Sequence, residues 1–177
     1  MVKYIVRFKS RKTLKYILSI TLTLLLVRSN SQPPVQVSAL PTVFLIGEYE
    51  DRYLELSQAH PAQFMSVYQN DIDLAYKGWS NCLLDMEDYA SRINYDLKGV
   101  KVWINLYFNA DGTISNLAFY PKPNSRNVPL EELVAFFKGF AKQYRLPVTA
   151  AKGFQHSTSA SFPTFFQVDN PELAKRN

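Results

Sequence analysis

Residues 99–120 read GVKVWINLYFNADGTISNLAFY, and the way this stretch folds dictates how the rest of the chain must cover it. Val100, Val102, Ile104, Leu106 and Phe108 alternate with Lys101, Trp103, Asn105, Tyr107 and Asn109, the period of two that a strand with one buried face requires. Asn109-Ala110-Asp111-Gly112 then carries turn chemistry, because Asp bonds its own backbone and Gly accepts a positive φ at no steric cost. A β-hairpin over residues 100–120 is the consequence. With a two-residue Asp111-Gly112 turn, Leu106 stands opposite Leu117 and Ile104 opposite Phe119, so one face is continuously apolar. A three-residue loop with a Gly bulge would shift the pairing and mix the faces, so an even-numbered loop is expected. The other face keeps Trp103, Tyr107 and Tyr120 and is amphipathic.

The apolar face needs a cover, and residues 130–144 supply one. Leu130, Leu133, Val134, Phe137, Phe140, Ala141 and Tyr144 form one wide stripe at helical spacing. Pro129 suits a first helical turn, Glu131 and Glu132 face the positive end of the helix dipole, and Pro147 stops the run. Beyond it, Phe154, His156, Thr158, Ala160 and Phe162 alternate with Gln155, Ser157, Ser159 and Ser161, which predicts a third strand, half exposed. Upstream, His60-Pro61 opens what reads as the longest helix, with Tyr68, Ile72, Ala75, Trp79, Cys82, Met86, Tyr89 and Ile93 spaced alternately by four and three. The expected class is α+β: a small antiparallel sheet with a ββαβ core, packed by a long N-terminal helix and a second helix.

The remainder of the chain sets the compartment. Six basic residues from Lys3 to Lys15 precede an uncharged, largely apolar run over residues 16–27, and small polar residues come next, the pattern of a secretory signal. Cleavage is expected between Ser31 and Gln32, with a retained inner-membrane anchor as the alternative; either places the domain in the periplasm or outside the cell. The leader carries seven of the chain's twenty Lys and Arg. Residues 32–177 keep thirteen against fifteen Asp and Glu, a formal charge of −2, so the whole-chain pI of about 9.2 is no argument for nucleic acid. The organisation expected is a signal peptide over 1–31, an extended Pro-containing linker over 32–42, one domain over 43–165 and a flexible tail over 166–177. Within that domain, residues 43–46 are either an added strand or a turn tucked on the core, with the core-contacting loop preferred, and residues 48–58 read as a short helix with a solvated acidic face. Cys82 is the only cysteine, either a buried thiol or a partner in an intermolecular bridge.

No catalytic constellation stands out. The two histidines, His60 and His156, lack Cys, Asp or Glu partners at metal-ligand spacing, and the glycines are too scattered for a phosphate loop, so no metal, nucleotide or other cofactor is expected. His156 beside Ser157 and Thr158 is not a nucleophile and base pair, since adjacent strand residues point to opposite faces. The most individual string is Lys122-Pro123-Asn124-Ser125-Arg126-Asn127. Asn124, Ser125 and Arg126, beside a helix start, are candidates for holding a carboxylate or another anion. The competing structural reading has Asn127 capping the helix and Arg126 pairing with Glu131 or Asp111. Asn124, Ser125, Arg126 and His156 are therefore the candidate ligand or partner residues, and a cleft formed by them would suit a small ligand-binding protein or hydrolase.

Gly99-Val100-Lys101-Val102 opening a strand, Phe108-Asn109-Ala110-Asp111-Gly112-Thr113-Ile114 at its turn, and the subsequent helix and strand resemble the C-terminal domain of TonB-like proteins over about residues 99–162. His60-Pro61 stands where that domain has Tyr-Pro at its first helix. The helix after Pro61, the short linker and the loop at residues 122–127 depart from the pattern. The resemblance implies a fold and a binding mode, in which an exposed strand edge grips an extended segment of a partner. The function expected is thus a non-enzymatic, exported interaction module for another envelope protein, touching the membrane only if the leader is retained, with the last strand as the edge.

Overall fold

In chain order the elements are β1 (Val43–Leu45), a 3-10 turn (Glu50–Arg52) running into α1 (Tyr53–Ala59), β2 (Ala62–Gln63), α2 (Phe64–Val67), α3 (Ile72–Arg92), β3 (Lys101–Phe108), β4 (Ile114–Pro121), α4 (Leu130–Gln143) and β5 (Phe154–Ser161). The computed structural model describes residues 40–164. The expected leader, most of the linker and the tail lie outside the described residues. Among the described residues no helix is long and apolar enough to cross a membrane. The class is α+β.

The hairpin and the third strand form as their alternation dictates, with β3 at the centre and β4 and β5 antiparallel on its two sides. Ile104 faces Phe119 and Leu106 faces Leu117. The loop that delivers this register differs from expectation. Gly112 N–H donates to the Asn109 carbonyl at 3.0 Å and Asn109 N–H to the Thr113 carbonyl at 2.8 Å, a three-residue loop with Gly112 at φ +85°. Its one-residue shift is undone immediately: Phe108 pairs with Ile114 but Tyr107 with Asn116, so Ser115 is bulged out. Two irregularities cancel, and the apolar face survives.

The sheet is wider than the antiparallel core. Its order is β1-β4-β3-β5-β2, and both outer strands run parallel to their neighbours. Residues 43–46, expected as a loop, thus form an edge strand; Val43 and Leu45 align with Leu117 and Phe119 and extend the apolar face. The long helix expected from Pro61 is not formed. Residues 62–63 pair with β5 instead, and Gln69 and Asn70 adopt left-handed φ of 57° and 61°, which ends α2. Asp71 then starts α3 by accepting the Leu74 N–H at 2.9 Å.

One face of the sheet lies under α3 and α4. Trp79 of α3 meets His156 of β5 with ring centroids 4.9 Å apart, Phe137 of α4 meets Phe119 of β4 at 4.8 Å, and Tyr89 joins the helices through Phe136 at 5.5 Å. Val102, Ile104, Leu106, Phe108, Leu117 and Phe119 are completely buried there. Each such side chain contributes about 1.5–3 kcal/mol on burial, so this layer is the main source of stability. Among the described residues the second face is covered only at one end, where α1 brings Tyr53 and Leu56 onto Phe44, Tyr107 and Ala118. Cys82 is fully buried on α3, and burial pushes its thiol up to about 12.

Two glycines separate backbone constraint from side-chain crowding. A Cβ on Gly112 would meet the Leu146 carbonyl oxygen at 2.3 Å, on a residue whose φ is already positive. A Cβ on Gly139 would come nearest the Tyr89 side chain, its hydroxyl at 2.1 Å and its Cζ at 3.2 Å, the far end of a side chain rather than backbone. Gly112→Ala should therefore lower unfolding stability by at least about 2 kcal/mol, whereas Gly139→Ala, which gains up to ~1 kcal/mol of helix propensity, should change it by less than about 1 kcal/mol. Urea unfolding of the two variants checks the contrast.

Candidate functional site

The loop between β4 and α4 is built as a clasp on the start of β3. Lys122 N–H donates to the Lys101 carbonyl at 2.8 Å, Ser125 N–H to the Lys122 carbonyl at 2.9 Å, and Arg126 N–H to the Gly99 carbonyl at 2.7 Å. The Ser125 hydroxyl accepts the Lys101 N–H at 2.9 Å and donates to the Arg126 carbonyl at 3.1 Å. The Arg126 guanidinium is committed to Asp96, bonding both its carboxylate and its backbone carbonyl. The Lys98 N–H and then Arg126 hold the Asp96 carboxyl below the usual carboxylate range. Neither Glu131 nor Asp111 is the arginine's partner; Asp111 takes Arg145 at 3.1 Å. Pro129, not Asn127, occupies the N-cap of α4, with no side-chain cap bond. Of the three candidate loop residues, Asn124 alone has an exposed side chain uncommitted among the described residues.

His156 lies elsewhere. It pairs with Leu106 in mid-sheet, whereas Arg126 is bonded at Gly99, seven residues along the chain and roughly 20 Å away at ~3.3 Å per strand residue. The imidazole points under α3, stacked on Phe64 with centroids 4.4 Å apart and meeting Trp79 edge-on, and its Nε2 has no hydrogen-bond partner. Burial pushes its pKa down to about 4. The structure therefore does not gather His156 with Asn124, Ser125 and Arg126 into one cleft. Among the described residues no group of His, Cys, Asp and Glu is arranged to hold a metal ion.

What the architecture does expose is a strand edge. Even-numbered β3 residues bond β5, as the Phe162 N–H to Val100 carbonyl bond at 2.9 Å sets the phase. By antiparallel alternation the N–H and C=O groups of Gln155, Ser157, Ser159 and Ser161 point away from β3. β2 pairs only with Phe154 and Gln155, and the Gln155 amide also donates to the His60 carbonyl at 3.0 Å. Among the described residues no strand pairs with the outer edge of β5, the side away from β3, beyond Gln155, and Ser157, Ser159 and Ser161 are exposed. The opposite edge is closed differently. The Glu48 carboxylate accepts the Leu45 N–H at 3.0 Å and the Glu48 N–H donates back to the Leu45 carbonyl at 3.0 Å, so the chain caps β1 itself. The alternation of residues 154–162 disclosed the exposed serines, but nothing in the sequence disclosed the capping by Glu48, which depends on a three-residue strand. Compared with known proteins, the chain matches no family model, no curated protein and no solved structure.

The environment of His156 sets a pH dependence. Its folded pKa lies below the ordinary 6.5, so below that value the unfolded chain binds the extra proton and stability is lost as pH falls from about 6.5 to about 4. The loss is on the order of 3 kcal/mol across that window. Asp96 and Asp111, whose pKa values are lowered from 3.8, add their losses only at lower pH. Denaturant unfolding at pH 7, 5.5 and 4.5 should show the decline in the wild type and a nearly flat profile in His156→Leu.

Proposed function

We propose that the protein is an exported, non-enzymatic interaction module that binds an extended segment of an envelope protein by strand addition at the outer edge of β5. The observation that carries this reading is the asymmetry of the two sheet edges: β1 is capped by Glu48, while β5 offers the outward backbone groups of Ser157, Ser159 and Ser161. Added strands gain affinity from main-chain hydrogen bonds and selectivity from alternate side chains, and small serines leave the approach unobstructed. Uncharged side chains also leave the edge without the repulsion that commonly blunts it. The resemblance to TonB C-terminal domains and the secretory leader belong to the same proposal. Arg126 is occupied by Asp96, and the half-buried His156 is stacked on Phe64 and lies far from the loop, so neither supports the small-ligand or hydrolase reading.

The test is a pull-down from envelope extract with the full chain, comparing wild type with Ser157→Pro and Ser161→Pro. Each proline removes an outward donor while leaving the bonds to β3 in place. A partner retained by the wild type, lost by variants with unchanged circular dichroism, and protecting the Ser157 and Ser161 amides from exchange is the expected result. Equal retention by the variants, or retention without amide protection, removes strand addition from consideration.

A further inference from the structure

Among the described residues nothing covers the second face of the sheet at the end that α1 does not reach, and two large aromatic side chains stand there side by side. Trp103 and Tyr120 are cross-strand partners on β3 and β4, 44% and 49% exposed, although the chain has ample core positions for such rings. Ser159 on β5 is paired with Trp103, and Asn105 lies two residues along β3 on the same face; neither side chain makes a hydrogen bond among the described residues. Lys101 and Lys122 complete the patch. The Lys122 ammonium lies 5.7 Å from the centre of the Trp103 ring, and neither lysine has a carboxylate within ion-pair distance among the described residues. Acidic residues gather instead at the other end of this face, on α1 and the turn before it, where Glu48, Glu50, Asp51 and Glu55 lie.

We infer that this face binds an acidic polysaccharide, its sugar rings stacking on Trp103 and Tyr120, its hydroxyls meeting Ser159 and Asn105, and its carboxylates meeting Lys101 and Lys122. This site is independent of the β5 edge and does not rest on the strand-addition reading. The backbone groups of β3 and β4 beneath it are engaged in the sheet, so a ligand on this face is recognised through side chains alone, which does not suit an extended peptide. Flat aromatic side chains with neighbouring hydroxyl and amide groups suit a ring-bearing chain that is apolar on its faces and polar at its rim. Charge separates a sugar from a single-stranded nucleic acid. Residues 40–164 hold eleven Lys and Arg against thirteen Asp and Glu, and two free lysines cannot follow a polymer with one charge per nucleotide. They can follow carboxylates spaced sparsely along a glycan. The Lys122 contact with Trp103 is weak at an exposed site, so the ammonium is free to turn to a ligand.

The test is affinity electrophoresis of the full chain in gels containing hyaluronate, whose carboxylates fall on alternate sugars only, dextran or no polymer, with a fluorescence titration against an oligothymidylate in parallel. Expected are retardation by hyaluronate but not by dextran, a reduction of at least tenfold in apparent affinity for Trp103→Ala and for Tyr120→Ser, and a severalfold reduction for Lys101→Gln with Lys122→Gln. Leu74→Ala, which removes an equally exposed apolar side chain from α3, should leave retardation unchanged. No retardation of the wild type, equal retardation of Trp103→Ala, equal retardation by dextran, or tighter binding of the oligothymidylate each overturns the inference. Circular dichroism of the variants, whose altered side chains are at the surface, confirms that they fold.

Discussion

β3 is hydrogen-bonded along both of its sides, through odd-numbered residues to β4 and through even-numbered ones to β5, and the rest of the molecule depends on that double ladder. Once Ile104 faces both Phe119 and Thr158, every even-numbered side chain of β3 points at α3 and α4 and every odd-numbered one points away. A slip of one residue would put Trp103 and Asn105 under the helices and Val102 and Ile104 in water. The bulge at Ser115 matters for this reason: it cancels the shift that the Gly112 loop introduces. Asp111 holds that loop from within, accepting the Thr113 N–H at 3.1 Å and its hydroxyl at 2.6 Å.

The same ladder divides the molecule into an apolar packing layer and a remainder with other uses. The even-numbered face consumes the aromatic stripes of both helices, and His156 is drawn into it between Phe64 and Trp79, at the cost of a lowered basicity. Among the described residues α1 covers the odd-numbered face of β3 only at Tyr107, which leaves Trp103 and Tyr120 about half exposed. At the margins, β1 is capped by its own Glu48, and β5 is covered for two residues by β2. A free edge and an open face thus arise from one geometry, yet they offer different chemistry: backbone groups at the edge, side chains on the face.

The parts legible in the sequence are those with a sustained period. The alternation of residues 100–108 and 154–162 and the stripe of α4 each extend over enough residues to declare their faces, and the cross-strand register of Ile104 and Leu106 is readable even though the loop type is not. Where the pattern misleads, a tertiary contact or a local signal outweighs it. The apolar spacing from Tyr68 to Ile93 runs unbroken through Gln69-Asn70-Asp71, whose polar residues permit a left-handed break and a new N-cap. β1 and β2, at three and two residues, are too short for any period and exist because neighbouring strands offer them partners. Arg126 finds Asp96 thirty residues away, a pairing that sequence neighbourhood could not suggest, and the candidate anion site at residues 124–126 becomes a clasp.

The measurement that tests the edge asymmetry most directly is residue-resolved amide hydrogen exchange of the full chain in the absence of any partner. Alternating protection is predicted along β5: slow exchange at His156, Thr158 and Ala160, whose N–H groups face β3, and fast exchange at Ser157, Ser159 and Ser161, with Leu45 slowed on the capped edge. Uniform protection through residues 156–161 would show that the edge is already paired and would contradict the asymmetry on which the functional reading rests.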